Sequence, residues 1–208
     1  MYGINQHGKD PGITPTLKDE IRSVSSRLKE LNTLFLKVKK TYIQGNHEYR
    51  LERFIASKVP EFFNVVDFPS LFNLDDLGYN FIPYGPSQAY KVGGSSLIAR
   101  HEPIGCGVHC AHSTVVKASH SVIFGHVHRI QESQIVSIDG ENYRGIATGW
   151  LGNKKSKVMQ YVKNHWQWAL GFSIVTILDN GLWFNQVVHI IEKDNFYYCI
   201  FEGFKYQN

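Results

Sequence analysis

Apolar positions along the chain change period several times, and each change predicts an element. Ile21, Val24, Leu28 and Leu31 recur at helical spacing, with Thr16 placed to cap the N-terminus and Asp19 and Glu20 in the first turn. A helix is expected from there to about Asn32. Residues 41–44 read as a strand, and Leu51, Phe54, Ile55 and Val59 as an amphipathic helix closed near Pro60. The apolar stretch 62–77 is interrupted by Pro69 and predicts a short helix near Ser70. Residues 80–84 and 97–99 read as strands, with a Gly93-Gly94 turn between them. Residues 113–119 predict a helix, and Val122, Ile123 and Phe124 a short buried strand that Gly125 breaks.

Downstream the period is mostly two. Residues 134–138 and 143–148 alternate about Asp139-Gly140, a hairpin signal. Residues 173–178 and 182–190 form a second such pair about Asp179-Asn180-Gly181, and 196–201 predicts a further strand. Between these hairpins Gly149-Trp150-Leu151-Gly152 opens a polar and aromatic insert that holds Trp166 and Trp168. Residues 1–15, rich in Gly, Asn, Asp and Pro, read as a loop. The order of elements is that of a mixed α/β (α+β) protein.

Composition narrows the class. The chain has 208 residues, 43% of them hydrophobic, enough for one domain with a sizeable core. Twenty-two basic residues against 18 acidic ones leave a net charge of +4, which does not by itself indicate nucleic-acid binding. Lys37, Lys39 and Lys40 form one basic cluster and Lys154, Lys155 and Lys157 another; solvated faces and a rim that attracts phosphate both fit them. Cys106, Cys110 and Cys199 make no disulfide framework. The N-terminus has no signal-peptide pattern, and the nearly apolar run 169–178 is too short to span a bilayer. A cytoplasmic protein without a membrane partner is the expectation.

Six of the ten histidines fall between residues 101 and 128. Gly125-His126-Val127-His128 follows the predicted strand 122–124, so two imidazoles leave one strand end together. Gly45-Asn46-His47-Glu48 follows the strand 41–44, and His101 follows the apolar run 97–99. Imidazole and amide or carboxylate oxygens are the usual ligands of Mn-, Fe-, Ni-, Co- and Zn-class ions. Cys106, His109, Cys110 and His112 offer a second possible zinc set at non-standard spacing, and His7 and Asp10 further donors in the N-terminal loop.

Gly-Asn-His-Glu, a middle histidine and Gly-His-Val-His, in that order, resemble the calcineurin-like metallophosphoesterases over about residues 40–150. The resemblance implies one phosphoesterase domain over residues 1–208, a four-layer α-β-β-α sandwich with a site for two divalent metal ions at strand ends. It implies hydrolysis of a phosphomonoester or phosphodiester, with nucleic acid one substrate class among several. Asn46, His101 and His126 would then ligate one ion and His128 the other. His47 would protonate the leaving oxygen, with Glu48 orienting it or acting only as a first-turn helix acid. Arg129 and His109 would face substrate or lie in ordinary surface positions. The family's upstream Asp-x-His and Gly-Asp-x-x-Asp motifs are not in the sequence. The chain is therefore expected to start after the second motif, without the N-terminal strands, and to bind metal and turn over weakly. A non-hydrolytic relative that binds metal or a partner is the alternative.

Overall fold

A computed structural model describes residues 16–63, 65–153, 155 and 165–208. The 1–15 loop with His7 and Asp10, and Lys154 and Lys157 of the second basic cluster, lie outside the described residues. The chain is mixed α/β and divides into two compact units, Met1–Gln88 and Ala89–Asn208. Among the described residues, no helix is long and apolar enough to cross a membrane.

In the first unit, helix α1 (Leu17–Leu34) starts at Thr16, whose hydroxyl accepts from the Asp19 N–H while the Asp19 carboxylate accepts from the Thr16 N–H. Ile21, Val24 and Leu28 of the predicted stripe pack on Phe68, Phe72 and Leu74, whereas Leu31 is 44% exposed and lies beyond the contact. Strand β1 (Lys40–Ile43) leads into helix α2 (Tyr49–Lys58). A 3-10 turn (Pro60–Phe62) and the short helix α3 (Phe68–Leu71) follow, the latter capped by Asp67. Strand β2 (Tyr79–Ile82) returns parallel to β1, with Lys40 opposite Tyr79 and Ile43 opposite Ile82. Tyr42 and Phe81 close the core from the sheet side.

In the second unit, the sheet is built from β3 (Tyr90–Lys91), β4 (Ile98–Arg100), β5 (Val122–Phe124), β6 (Ile130–Val136) and β7 (Asn142–Thr148), in the order β3-β4-β5-β7-β6. The three central strands β4, β5 and β7 are parallel, with Arg100, Phe124 and Ala147 level with one another. Helix α4 (Cys110–Ala118) connects β4 to β5 and packs Cys110 and Ala111 on Val122, Phe124 and Ala147. A side chain at Gly145 would collide with the Ala111 backbone, so this close approach of helix and strand requires glycine there.

Two boundaries differ from the sequence expectation for a tertiary reason. Helix α4 begins three residues before residue 113 because Gln131 of β6 accepts from the Ala111 N–H at 3.3 Å. Strand β6 begins four residues before residue 134 because its pairing with β7 runs back to Ile130 opposite Thr148, through polar positions without apolar alternation. The hairpin of β8 (Gly171–Ile177) and β9 (Trp183–His189) forms as predicted. A three-stranded meander follows: β10 (Ile191–Lys193), β11 (Phe196–Phe201) and β12 (Phe204–Gln207). Its turns, Asp194-Asn195 and Glu202-Gly203, have positive φ at both central residues, as tight two-residue hairpins require.

Candidate metal centre

The loop after β1 is held by polar contacts. Gln44, fully buried, uses all four of its polar groups. Its N–H donates to the Ile82 carbonyl at 3.0 Å, its carbonyl accepts from the Gln88 amide at 2.9 Å, its Oε1 accepts from the Tyr84 N–H at 2.9 Å and its Nε2 donates to the Glu52 carboxylate at 2.7 Å. Strand end, helix α2 and the segment after β2 are thereby tied to one side chain. Glu48 reaches back to accept from the Gly45 N–H at 2.9 Å, and the Tyr49 N–H donates to the Gly45 carbonyl at 3.0 Å. These bonds shape the turn that carries Asn46 and His47. Glu48 thus acts on the loop backbone. Nearby Tyr42 has its phenol pKa pushed far up, by burial first and by the Glu48 charge second.

In the second unit, the parallel strands bring the histidines to one sheet edge. His101 follows the last residue of β4 and Gly125 the last residue of β5, and the Gly125 N–H donates to the His101 carbonyl at 3.2 Å. Ligand sites in open α/β sheets lie outside the carboxyl ends of such strands. The next residues are strained. His126 (φ 53°) and His128 (φ 56°) both adopt left-handed backbone, and between them the Val127 N–H bonds to the Gly125 carbonyl at 2.6 Å. Left-handed backbone costs a non-glycine residue about 1–2 kcal/mol, and such strain clusters at functional sites.

The two conformations send the imidazoles to different neighbours. His126 Nδ1 lies 3.2 Å from His101 Nε2, the rings meeting nearly edge to face. The Glu102 carboxylate stands 3.7 Å from the same His126 nitrogen. Two nitrogens on one zinc-class ion, at about 2.0–2.1 Å each and at about 90–110°, lie about 2.9–3.4 Å apart. The His101–His126 separation fits that range as well as it fits one shared hydrogen. Burial, then the neighbouring His126, lowers the His101 pKa to about 4 against the opposing pull of Glu102. Its ring is therefore neutral at physiological pH, the form that binds metal.

His128 turns into an aromatic box. Its ring stacks on Trp150 (centroids 5.4 Å, planes 21° apart) and meets Trp168 edge to face at 4.1 Å. Its pKa is lowered to about 4, by burial first and then by His126 and His101. Its Nδ1 is buried with no hydrogen-bond partner among the described residues. The donor set thus fits an ion through the His101–His126 pair with Glu102 beside it, and leaves an orphaned nitrogen on His128. Among the described residues, no group of three or more His, Cys, Asp or Glu side chains closes around one point.

Other sequence candidates make contacts of their own. Arg129 donates through one guanidinium nitrogen to the Gly107 carbonyl at 3.1 Å, and the backbone of His109 caps the first turn of α4, accepting from the Ser113 N–H. Cys110 is buried with its thiol bonded to Gln131, His112 bonds to Ser133, and Cys106 is exposed, so these do not form the second zinc set. Sequence reading missed Gln44, Glu102, Trp150 and Trp168. Glu102 had a signal in its position directly after a candidate ligand, as Glu48 follows His47. Compared with protein-family models, with curated proteins and with solved structures, the chain shows no match.

Proposed function

We propose that this chain is a metal-dependent phosphoesterase of the calcineurin-like kind, a four-layer α-β-β-α sandwich in which His101 and His126 hold a divalent ion. The observation that carries the reading is the pair of imidazole nitrogens 3.2 Å apart at the adjacent ends of parallel strands β4 and β5. The half-buried, neutral His101, the nearby Glu102 carboxylate and the left-handed backbone of His126 support it.

When bound, two such ions supply a nucleophile at neutral pH and counter-charge for the phosphoryl oxygens. His101 and His126 offer ring lone pairs, and Glu102 offsets positive charge beside them. By the resemblance alone, Asn46 would offer a side-chain carbonyl oxygen and His128 would be a ligand of the other ion. By the same resemblance, His47 would donate a proton to the leaving oxygen. Glu48 and Gln44 hold the turn on which Asn46 and His47 stand. Arg129 and His109, on neighbouring loop positions, are the candidates for substrate contact. The substrate is a phosphomonoester or phosphodiester, and Mn, Fe, Ni, Co or Zn all suit the donors.

The test is hydrolysis of a chromogenic phosphodiester and phosphomonoester in Mn²⁺, with metal content measured alongside. His47→Ala is expected to lower turnover while leaving bound metal unchanged. Loss of metal together with activity would show that His47 is a ligand instead. Metal bound through His101 and His126 without turnover on either substrate would favour a non-hydrolytic, metal-binding relative.

A further inference from the structure

We infer that β12 is a self-association edge: it pairs, antiparallel and about a two-fold axis, with β12 of a second copy of this chain, Tyr206 lying against Tyr206 and Lys205 against Gln207. The inference is independent of the proposed metal chemistry.

The surroundings of this strand set it apart. β12 (Phe204–Gln207) pairs with β11 on one side and, among the described residues, with no strand on the other. Among the described strands it alone exposes every residue. Phe204 is 67% and Tyr206 51% exposed, aromatic surface where a protected edge strand carries charge or proline. The opposite side of the same meander is tied down. There the Lys155 ammonium bonds the Glu192 carboxylate of β10 at 2.6 Å and the Asn195 side chain of the β10–β11 turn at 2.9 Å.

Backbone geometry selects the occupant. Tyr197 and Asn208 exchange both N–H···O bonds, each at 3.1 Å. An antiparallel ladder alternates, so Tyr206 and Phe204 also turn their backbone groups toward β11, opposite Cys199 and Phe201, while Lys205 and Gln207 turn theirs outward. A two-fold axis normal to the sheet keeps each face on its own side, so the pairing must centre on a residue. Centred on Lys205, it sets two lysines opposite each other, which their like charge disfavours. Centred on Phe204 or Gln207, it carries most of each strand past the end of the other. Centred on Tyr206, it lets Lys205 and Gln207 of the second copy exchange both backbone bonds, and the axis repeats the exchange. The two tyrosines then meet at a non-hydrogen-bonded position, where side chains come closest. Lysine at an edge ordinarily guards against pairing. Here the Lys205 ammonium lies 5.1 Å from the centroid of the Tyr198 ring, turned toward β11 and away from the open edge. The edge is thus complementary to itself, as a two-fold interface requires.

The experiment is sedimentation equilibrium of the whole chain from about 5 to 200 μM, the range in which so short an interface should associate. The weight-average mass should rise from 23.8 kDa toward twice that value. Gln207→Pro should keep the chain monomeric throughout. It removes an outward N–H and no bond to β11, so the thermal unfolding midpoint at the lowest concentration should not move. Two further variants test the register and leave the backbone alone. Gln207→Glu sets a carboxylate opposite Lys205 of the second copy and should tighten the dimer about 3–10-fold, whereas Gln207→Lys opposes two lysines and should loosen it by a similar factor. A monomeric mass at every concentration would overturn the inference. A dimer that Gln207→Pro leaves intact, or that Gln207→Glu and Gln207→Lys shift alike, would overturn it too, because association would then run through another face.

Discussion

Two loops of this protein have the same outline in sequence, a short strand, then glycine, then histidine, yet they are held by opposite means. The loop after β1 rests on a polar frame in which Gln44 satisfies every one of its hydrogen-bonding groups and Glu48 caps Gly45. The loop after β5 rests on strain and aromatic packing: two left-handed histidines, one facing His101 and the other wrapped by Trp150 and Trp168. The first arrangement gives directional bonds to the backbone and leaves Asn46 and His47 on a shaped turn. The second leaves His128 Nδ1 without a hydrogen-bond partner among the described residues. A strand end followed by glycine and histidine therefore says little about how the loop is held.

The largest effect on this contrast is expected from Gln44→Leu. It removes the acceptor of the Tyr84 N–H and the donor to Glu52 within a buried frame, so the first loop should lose support at a cost of about 2–3 kcal/mol. Urea denaturation measures it, and an unchanged midpoint would mean that the frame is incidental. The strain in the second loop is probed by comparing His126→Gly with His126→Ala. Glycine accepts the left-handed backbone freely, so the Gly variant should be the more stable by about 1 kcal/mol. Equal stabilities would show that the loop relaxes once the imidazole is gone.

A smaller effect is expected from pH, and it acts through the second loop. His101 and His128 have folded pKa values near 4 against about 6.5 in the unfolded chain, so between these values the unfolded state binds more protons. Stability should be fully present above about pH 6.5 and should decline as pH falls toward 4. The decline should be shallower in His128→Phe, which keeps the ring and removes the titrating group. An identical pH dependence in that variant would remove His128 from the account.

The contrast also shows why some of the molecule was legible in its sequence and some was not. Helix α2 and strand β5 fall where their apolar period puts them, because burial alone decides such short elements. The N-cap at Thr16 is a local pattern and was equally visible. The start of α4 was hidden because its support comes from Gln131, twenty residues further along. The histidines announced themselves by residue type after an apolar run. Their holders did not: Gln44 looked like the last residue of a strand, and Trp150 and Trp168 like parts of a polar insert. Contacts between distant segments leave no period and no motif to read.

The most direct measurement is anomalous diffraction from crystals of the chain soaked in Mn²⁺. The account predicts a peak within bonding distance of both His101 Nε2 and His126 Nδ1, absent in His101→Ala. A manganese peak elsewhere, or Mn²⁺-dependent hydrolysis that persists with both histidines replaced by alanine, would contradict it.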